Sequence, residues 1–407
     1  MSEHDVVVTG LGLVTPAGVG VPATWEGLLS GDPTAATDPE LAGLPTDFSC
    51  RVPGFDASAL LGSRLAARLD SFTAMAVLAA REAVADAGLE PREWDPTRVA
   101  VAVGTGTASL EKYVDEIVKV AEGRHLLVSP LVLPRSIPSM AAGEIGLDLG
   151  ARGPNLVTST ACASGATAIG TALMMLRTGA CDVVVTGGAE SICSRPAVVC
   201  FGQLRALSRR CAEPERASRP FDADRDGFVP GEGAGMLVLE RSGHARARGA
   251  VPLARLAGYG ASCDAYDVTA PCPDGRGAAE AVRAALADAD LEPGAVGHVN
   301  AHGTGTRLND AAESAALHRV FGRPPPVTAL KGVLGHAVGG AGAIEAACTV
   351  LSLRHGVVPP TANLECPDPE LDLDVVAKVP RQLRLEAAVS TSFGFGGQNA
   401  ALVFTAV

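Results

Sequence analysis

Short runs of consecutive apolar residues punctuate the chain, separated by longer stretches whose apolar positions recur at helical spacing. Val6 to Gly12, Val99 to Gly104, Val183 to Thr186 and Met236 to Leu239 read as buried strands, and Ala163 to Leu176 reads as a small-residue amphipathic helix. Such alternation predicts an α/β protein with mixed or parallel sheets covered by helices.

The pattern also repeats. The segment Arg81 to Pro91 is echoed by Arg283 to Pro293, and each is followed by a strand ending in Gly-Thr-Gly-Thr, at Val99 to Thr107 and Val296 to Thr306. A second echo pairs Ala161 to Gly179 with His336 to Gly356; both are Ala/Gly-rich and end in Arg-x-Gly. Two echoes in the same order indicate a duplicated unit. The pattern restarts near residue 250, where Leu253 to Gly258 mirrors the first strand. The expected architecture is therefore a layered α-β-α-β-α body made of duplicated halves, 1–250 and 251–407.

With 407 residues, 47% of them hydrophobic and 19% charged, the chain can bury a large core. Its net charge of −12 argues against nucleic acid as a partner. The first residues lack a basic n-region, and Val6 to Val8 is too short for a signal or a span, so a cytoplasmic globular protein with no membrane partner is expected. Ten cysteines are irregularly spaced with no Cys-x-x-Cys pair, which predicts core packing over disulfides or a metal.

Candidate chemistry begins at Cys162. A buried free cysteine is usually a small inert hydrophobe. Here Pro154 to Val157 forms an apolar run ending in Thr-Ser-Thr, and a helical stretch begins at the cysteine. A thiol on such a strand–turn–helix junction faces unpaired N–H groups, which should lower its pKa and can bind an oxyanion. His302 ends a strand and is followed by Gly-Thr-Gly-Thr, placing it where ligands collect in α/β sheets, with the Thr304 and Thr306 hydroxyls able to hold an amide-rich ligand. His336 belongs to the segment that echoes Cys162, so pseudo-symmetry sets the two across one site. Lys331, one of four lysines, has Glu345 as a natural counter-ion. Gly394 to Gly397 offers backbone that can approach a ligand closely. Two other patterns fail. Asp222 to Gly227 begins like a calcium loop but has Gly233 where glutamate is needed, and Gly10 to Gly12 lacks the third glycine of a dinucleotide loop.

Taken together, Val8 to Pro16, Thr160 to Gly165, Asp226 to Gly235, Ala301 to Thr306, Leu334 to His336 and Ser392 to Gly397 resemble the motifs of β-ketoacyl synthases of the thiolase fold, the elongating condensing enzymes of fatty-acid and polyketide synthesis. The likeness spans nearly the whole chain. It implies that Cys162 takes an acyl chain from the phosphopantetheine of an acyl carrier protein. His302 and His336 would hold the malonyl thioester during decarboxylation, and the resulting enolate would attack the acyl-enzyme. The Cys162 and Phe395 N–H groups would form the oxyanion hole, with Lys331 and Glu345 in support. Thr304 and Thr306 would hold pantetheine, Phe395 would gate the pocket together with the loop Asp264 to Thr269, and Phe228, Phe393, Phe201 and Thr107 would line it. Arg64, Arg68, Arg124, Arg205, Arg209 and Arg210 match positions near the family's carrier-docking surface. No cofactor beyond the carrier's phosphopantetheine is implied, and no metal.

The Cys-His-His set is that of elongating members. Gln398 stands where fatty-acid enzymes commonly have threonine, and Thr107 where they have a bulky aliphatic. These departures favour a discrete type II polyketide or specialised fatty-acid ketosynthase, working as a homodimer or beside a chain-length-factor-like paralogue. Three alternatives stand: housekeeping fatty-acid elongation, a non-catalytic chain-length-factor-like subunit, and a malonyl-carrier decarboxylase.

Overall fold

The computed structural model describes residues 5–108 and 110–407. Residues 1–4, on which part of the N-terminal reading rests, lie outside the described residues. Among the described residues, ten strands form the main path of an eleven-stranded sheet: β1 (Val6–Thr15), β2 (Val99–Gly104), β3 (Asn155–Thr158), β4 (Val183–Ser191) and β5 (Glu232–Arg241), then β6 (Ala254–Cys263), β7 (His298–Asn300), β8 (Val327–Thr328), β9 (Ala387–Gly394) and β10 (Gln398–Thr405). Several run further than their apolar cores, because the flanking Gly, Ala and Thr residues pack between backbones without reading as hydrophobic.

The first five strands order as β3-β2-β4-β5-β1 and the last five as β8-β7-β9-β10-β6. In each set the first three pair in parallel and the remaining two pair antiparallel, so the halves share one topology. They are also continuous, a feature the repeat alone did not predict. Strands β1 and β6 pair antiparallel through three residue pairs, Val6 with Leu256, Val7 with Arg255 and Val8 with Ala254.

Seven helices position the site: α1 (Ser71–Asp86), α2 (Met140–Leu149), α3 (Ser164–Arg177), α4 (Arg195–Gln203), α5 (Arg276–Asp288), α6 (Arg307–Phe321) and α7 (Val338–His355). Helices α1 and α2 cover the outer face of the first sheet, and α5 packs on the second with α6 beside it. Between the sheets lie α3 and α7, completing five layers. Every residue from Val338 to Leu353 is buried, as expected of a helix with no polar face. The two central helices meet almost backbone to backbone. A Cβ on Gly165 would fall 2.8 Å from the Ala343 nitrogen, and one on Gly342 would fall 3.1 Å from the Ala166 nitrogen. No described helix is long and apolar enough to cross a membrane.

Candidate active site

Cys162 sits in a tight turn, Ala161–Ala163, between the end of β3 and the start of α3. The turn is strained at Ala161, whose φ is +49°, a left-handed conformation that costs an alanine about 1–2 kcal/mol. Ser164 fastens it: its Oγ accepts from Thr160 N–H at 2.9 Å and donates to the Ala161 carbonyl at 2.6 Å. Gly394 closes against the same turn, where a Cβ would stand 2.7 Å from the Thr160 oxygen and 3.0 Å from the Cys162 nitrogen. That approach brings the Phe395 N–H, together with the N–H of Cys162 itself, to the sulfur.

One expectation is corrected here. Burial pushes the Cys162 thiol up to about 11, outweighing the lowering by Lys331 and by the two N–H groups. The resting residue is a thiol. The same donors become effective when charge moves from sulfur to a carbonyl oxygen.

His302 follows β7, and its N–H is held by Glu313 at 2.8 Å and by Thr391 Oγ1 at 3.1 Å. His336 lies just ahead of α7, with its N–H donating to the Val229 carbonyl at 2.8 Å. The two imidazoles stand edge to face with centroids 5.3 Å apart, and Phe228 and Phe393 contact them edge-on at 5.3 and 5.9 Å. Burial, then the charge of Lys331, holds both rings well below the usual histidine range, so both are neutral. Lys331 and Glu345 form the buried ion pair anticipated from sequence, each 2% exposed. Lys331 Nζ also donates to the His302 carbonyl at 2.6 Å and reaches His302 Nδ1 at 3.3 Å. An ammonium at Nδ1 leaves the ring proton on Nε2, a neutral donor for an oxyanion.

Sγ of Cys162 and ring nitrogens of both histidines lie within 4.8 Å of one another, so one small reacting group can touch all three. These atoms also have the chemistry of metal ligands, but Lys331 places a fixed positive charge beside them, which disfavours a second cation.

A cavity of about 400 Å³ opens onto this trio. Phe201, Phe228, Phe393, Phe395, Thr269, Thr304 and Thr306 line it as anticipated. The hydroxyls of Thr304 and Thr306 bond each other at 3.0 Å. The Phe395 turn and the 264–269 loop are tied together, since Gly396 N–H donates to the Val268 carbonyl at 2.7 Å and Asp264 N–H to the Gly397 carbonyl at 2.8 Å. Thr107 does not line this cavity: its hydroxyl bonds Glu190 at 3.0 Å. The six arginines named for carrier docking have different local surroundings. Arg205 lines the cavity and, with Arg209, a neighbouring hollow, while Arg210 donates to the Asp224 carbonyl at 2.8 Å. Arg68 is paired with Glu144 at 2.6 Å in a separate depression, Arg124 donates to Glu122 at 2.7 Å, and Arg64 is exposed.

Two buried carboxylates escaped the sequence reading. Each anchors one of the echoing Gly-Thr-Gly-Thr loops. Glu313 accepts from His302 N–H and, at 2.7 Å, from Gly303 N–H, while Glu190 accepts from the Gly106 and Thr107 N–H groups at 2.5 and 2.8 Å. Glu190 was signalled by a charged residue in the otherwise uncharged run Val183 to Ser191. Burial raises its carboxyl to about 7. A folded-state pKa above the unfolded one contributes stability that is complete below about pH 4.5 and lost as pH rises through about 7, roughly 3 kcal/mol for this shift. Glu190→Gln, which mimics the protonated form, is therefore expected to gain stability over the parent by about that amount between pH 5 and pH 8. Denaturant unfolding at the two pH values measures it, and a difference that does not change with pH refutes the assignment.

The model of the β-ketoacyl synthase N-terminal domain matches residues 3–245, and that of the C-terminal domain matches 253–365. The 3-oxoacyl-[acyl-carrier-protein] synthase 2 of Synechocystis sp. is 42% identical, covering 99% of this chain and 98% of its own length, and that of Vibrio harveyi is 41% identical, covering 99% of both. Among solved structures, a β-ketoacyl synthase from Burkholderia phymatum superposes with a TM-score of 0.94 at 36% identity, covering 99% of both chains. The ishigamide ketosynthase/chain length factor superposes with a TM-score of 0.92 at 34% identity, again covering 99% of both. A cysteine-bearing turn, two neutral imidazoles and a duplicated five-layered fold thus coincide with full-length similarity, and the chain belongs to the β-ketoacyl synthase family.

Proposed function

We propose that this protein catalyses the decarboxylative Claisen condensation of an acyl-enzyme thioester with malonyl-acyl carrier protein, giving a β-ketoacyl-carrier protein. The observation that carries the reading is the convergence of Cys162, His302 and His336 within 4.8 Å at the foot of the cavity.

Three steps follow from the chemistry. The Cys162 sulfur attacks the thioester carbonyl of the acyl-phosphopantetheine. A C–S bond forms, the old C–S bond breaks, and the carrier thiolate leaves with the proton that Cys162 gave up. The oxyanion of the tetrahedral intermediate lies at the Cys162 and Phe395 N–H groups. The malonyl thioester then binds with its carbonyl oxygen toward His302 Nε2–H and His336. The bond to the carboxylate breaks, carbon dioxide leaves, and the electron pair moves onto that oxygen as an enolate. Its α-carbon attacks the acyl-Cys162 carbonyl, a C–C bond forms, and sulfur departs as thiolate to be reprotonated.

Pantetheine lies along Thr304 and Thr306, and no cofactor is needed beyond the arm of the carrier. Gln398, standing where fatty-acid enzymes commonly have threonine, favours a type II polyketide or specialised fatty-acid product. The protein acts in the cytoplasm as a homodimer or with a chain-length-factor-like paralogue. Such a pairing is named for the ishigamide protein, and another neighbour, of TM-score 0.91, is a type II polyketide carrier protein in complex with its ketosynthase.

Intact-mass analysis after incubation with acyl-carrier protein is expected to show one acyl group, on the peptide bearing Cys162. Labelled malonyl-carrier protein should then discharge it as product. Absence of the adduct sinks the reading.

A further inference from the structure

Glu190 is a fully buried acid that takes no part in the three chemical steps. It accepts from four neutral donors of one loop: Gly106 N–H at 2.5 Å, Thr107 N–H at 2.8 Å, Thr107 Oγ1 at 3.0 Å and Thr105 Oγ1 at 3.2 Å. Its counterpart in the second half, Glu313, holds the loop that bears His302. The echo sets Val103, a buried apolar residue, where His302 stands, so the loop held by Glu190 has no ring to aim. What that loop touches is the support of Cys162.

Thr105 N–H donates to the Thr158 carbonyl at 3.2 Å, just ahead of the cysteine turn. A Cβ on Gly104 would fall 2.2 Å from the Ser164 carbonyl carbon, and one on Gly106 would fall 3.4 Å from the Ala161 oxygen and 2.9 Å from Val338 Cγ1. The loop is therefore wedged between the turn of Cys162 and Val338, which packs in one cluster with the cysteine and lines the cavity. Backbone strain collects around the same wedge. Ala108 has φ +51°, Ala161 +49° and Val338 +37°, the last an outlier for a β-branched side chain. Strained residues persist where surrounding contacts over-determine them, and clusters of them mark function.

We propose that Glu190 is a positioning residue for acyl transfer, fixing through the 105–107 loop the turn that aims the Cys162 sulfur; this rests on the ketosynthase reading above. A carboxylate suits the task because its lone pairs accept all four donors at once, which a side-chain amide cannot do. It acts through the loop and touches neither sulfur nor substrate. Decarboxylation runs on the other side of the site, where His302 is held by Glu313 and His336 by the Val229 carbonyl, both outside this loop. Glu190 therefore serves the loading of Cys162 and not the loss of carbon dioxide.

The two half-reactions, measured on one preparation, test this. In single-turnover intact-mass experiments with acyl-carrier protein, Glu190→Gln is expected to load Cys162 about tenfold more slowly than the parent, as loss of one charge-assisted bond to Thr107 N–H predicts. Release of labelled carbon dioxide from malonyl-carrier protein by the unacylated enzyme should stay within about twofold of the parent's, as for sites that share no partner. Thr107→Val, which removes only the hydroxyl bond, should slow loading about threefold and likewise spare decarboxylation. Glu190→Gln is expected to be the more stable protein at pH 8, on the grounds given above, and a folding defect in either variant would lower both rates together. Both rates falling in parallel, or loading at the parental rate in Glu190→Gln, overturns the role. A parent that takes no acyl group overturns the ketosynthase reading, and this role with it.

Discussion

A Cys162→Ala enzyme is expected to make no measurable β-ketoacyl product yet still to release carbon dioxide from malonyl-carrier protein. Removing sulfur deletes the proposed acyl-carrying group, so condensation should fall by at least about a thousandfold. Decarboxylation asks something different of the site. It needs a neutral donor at the enolate oxygen, which His302 Nε2–H supplies, and that arrangement depends on Lys331 and Glu313, neither of which bonds the thiol side chain. Product formation and release of labelled carbon dioxide, measured together on one preparation, separate the two. If both fall in parallel, the division of labour between cysteine and histidines is wrong. If condensation survives, Cys162 is not the nucleophile.

Lys331→Met is expected to damage both fold and turnover. Breaking a buried pair by removing one partner leaves Glu345 as an uncompensated charge, which costs about 3–5 kcal/mol. Glu345 already has its carboxyl raised to about 7 by burial, against the lowering influence of Lys331. Without the lysine it moves higher still, so the variant recovers stability by taking up a proton as pH falls. The loss is therefore larger at pH 8 than at pH 6, and denaturant unfolding at both reads the difference. Turnover should drop about a hundredfold, because His302 Nδ1 loses the donor that keeps the proton on Nε2. Adding Glu345→Gln should restore most of the stability, since a neutral pair of similar volume is often as stable as the ionic one. It should not restore turnover. Recovery of both would reduce Lys331 to a packing element.

Much of this was legible in the chain because duplication writes itself twice. The echo of Ala161–Gly179 in His336–Gly356 located the two central helices and predicted that Cys162 and His336 face each other, which the 4.8 Å cluster reproduces. The pairing of Lys331 with Glu345 was legible too, from the scarcity of lysine. Depth was harder to read. The junction ahead of α3 argued for an acidic thiol, but nothing in the sequence says how completely Val338, Phe228 and Leu207 enclose Cys162, and enclosure decides the sign of the shift. Glu190 and Glu313 escaped for a related reason. Each serves a loop on a different element, and which loops converge is fixed by topology, not by spacing. Thr107 was placed on the acyl pocket by likeness alone, and its bond to Glu190 shows a local commitment no alignment of letters could contain.

The close contact between α3 and α7 bears on how this enzyme can diversify. The turn of Cys162 and the loop of His336 lead into helices that meet at Gly165 and Gly342, where a Cβ would run into the backbone of the facing helix. There is no side chain to enlarge and no gap to fill, so mutation there is all cost. Descendants that accept a longer or bulkier chain are expected to acquire the difference at cavity-wall positions such as Phe201, Leu204 and Thr269. A library aimed at new products should randomise those walls and leave the glycine seam untouched.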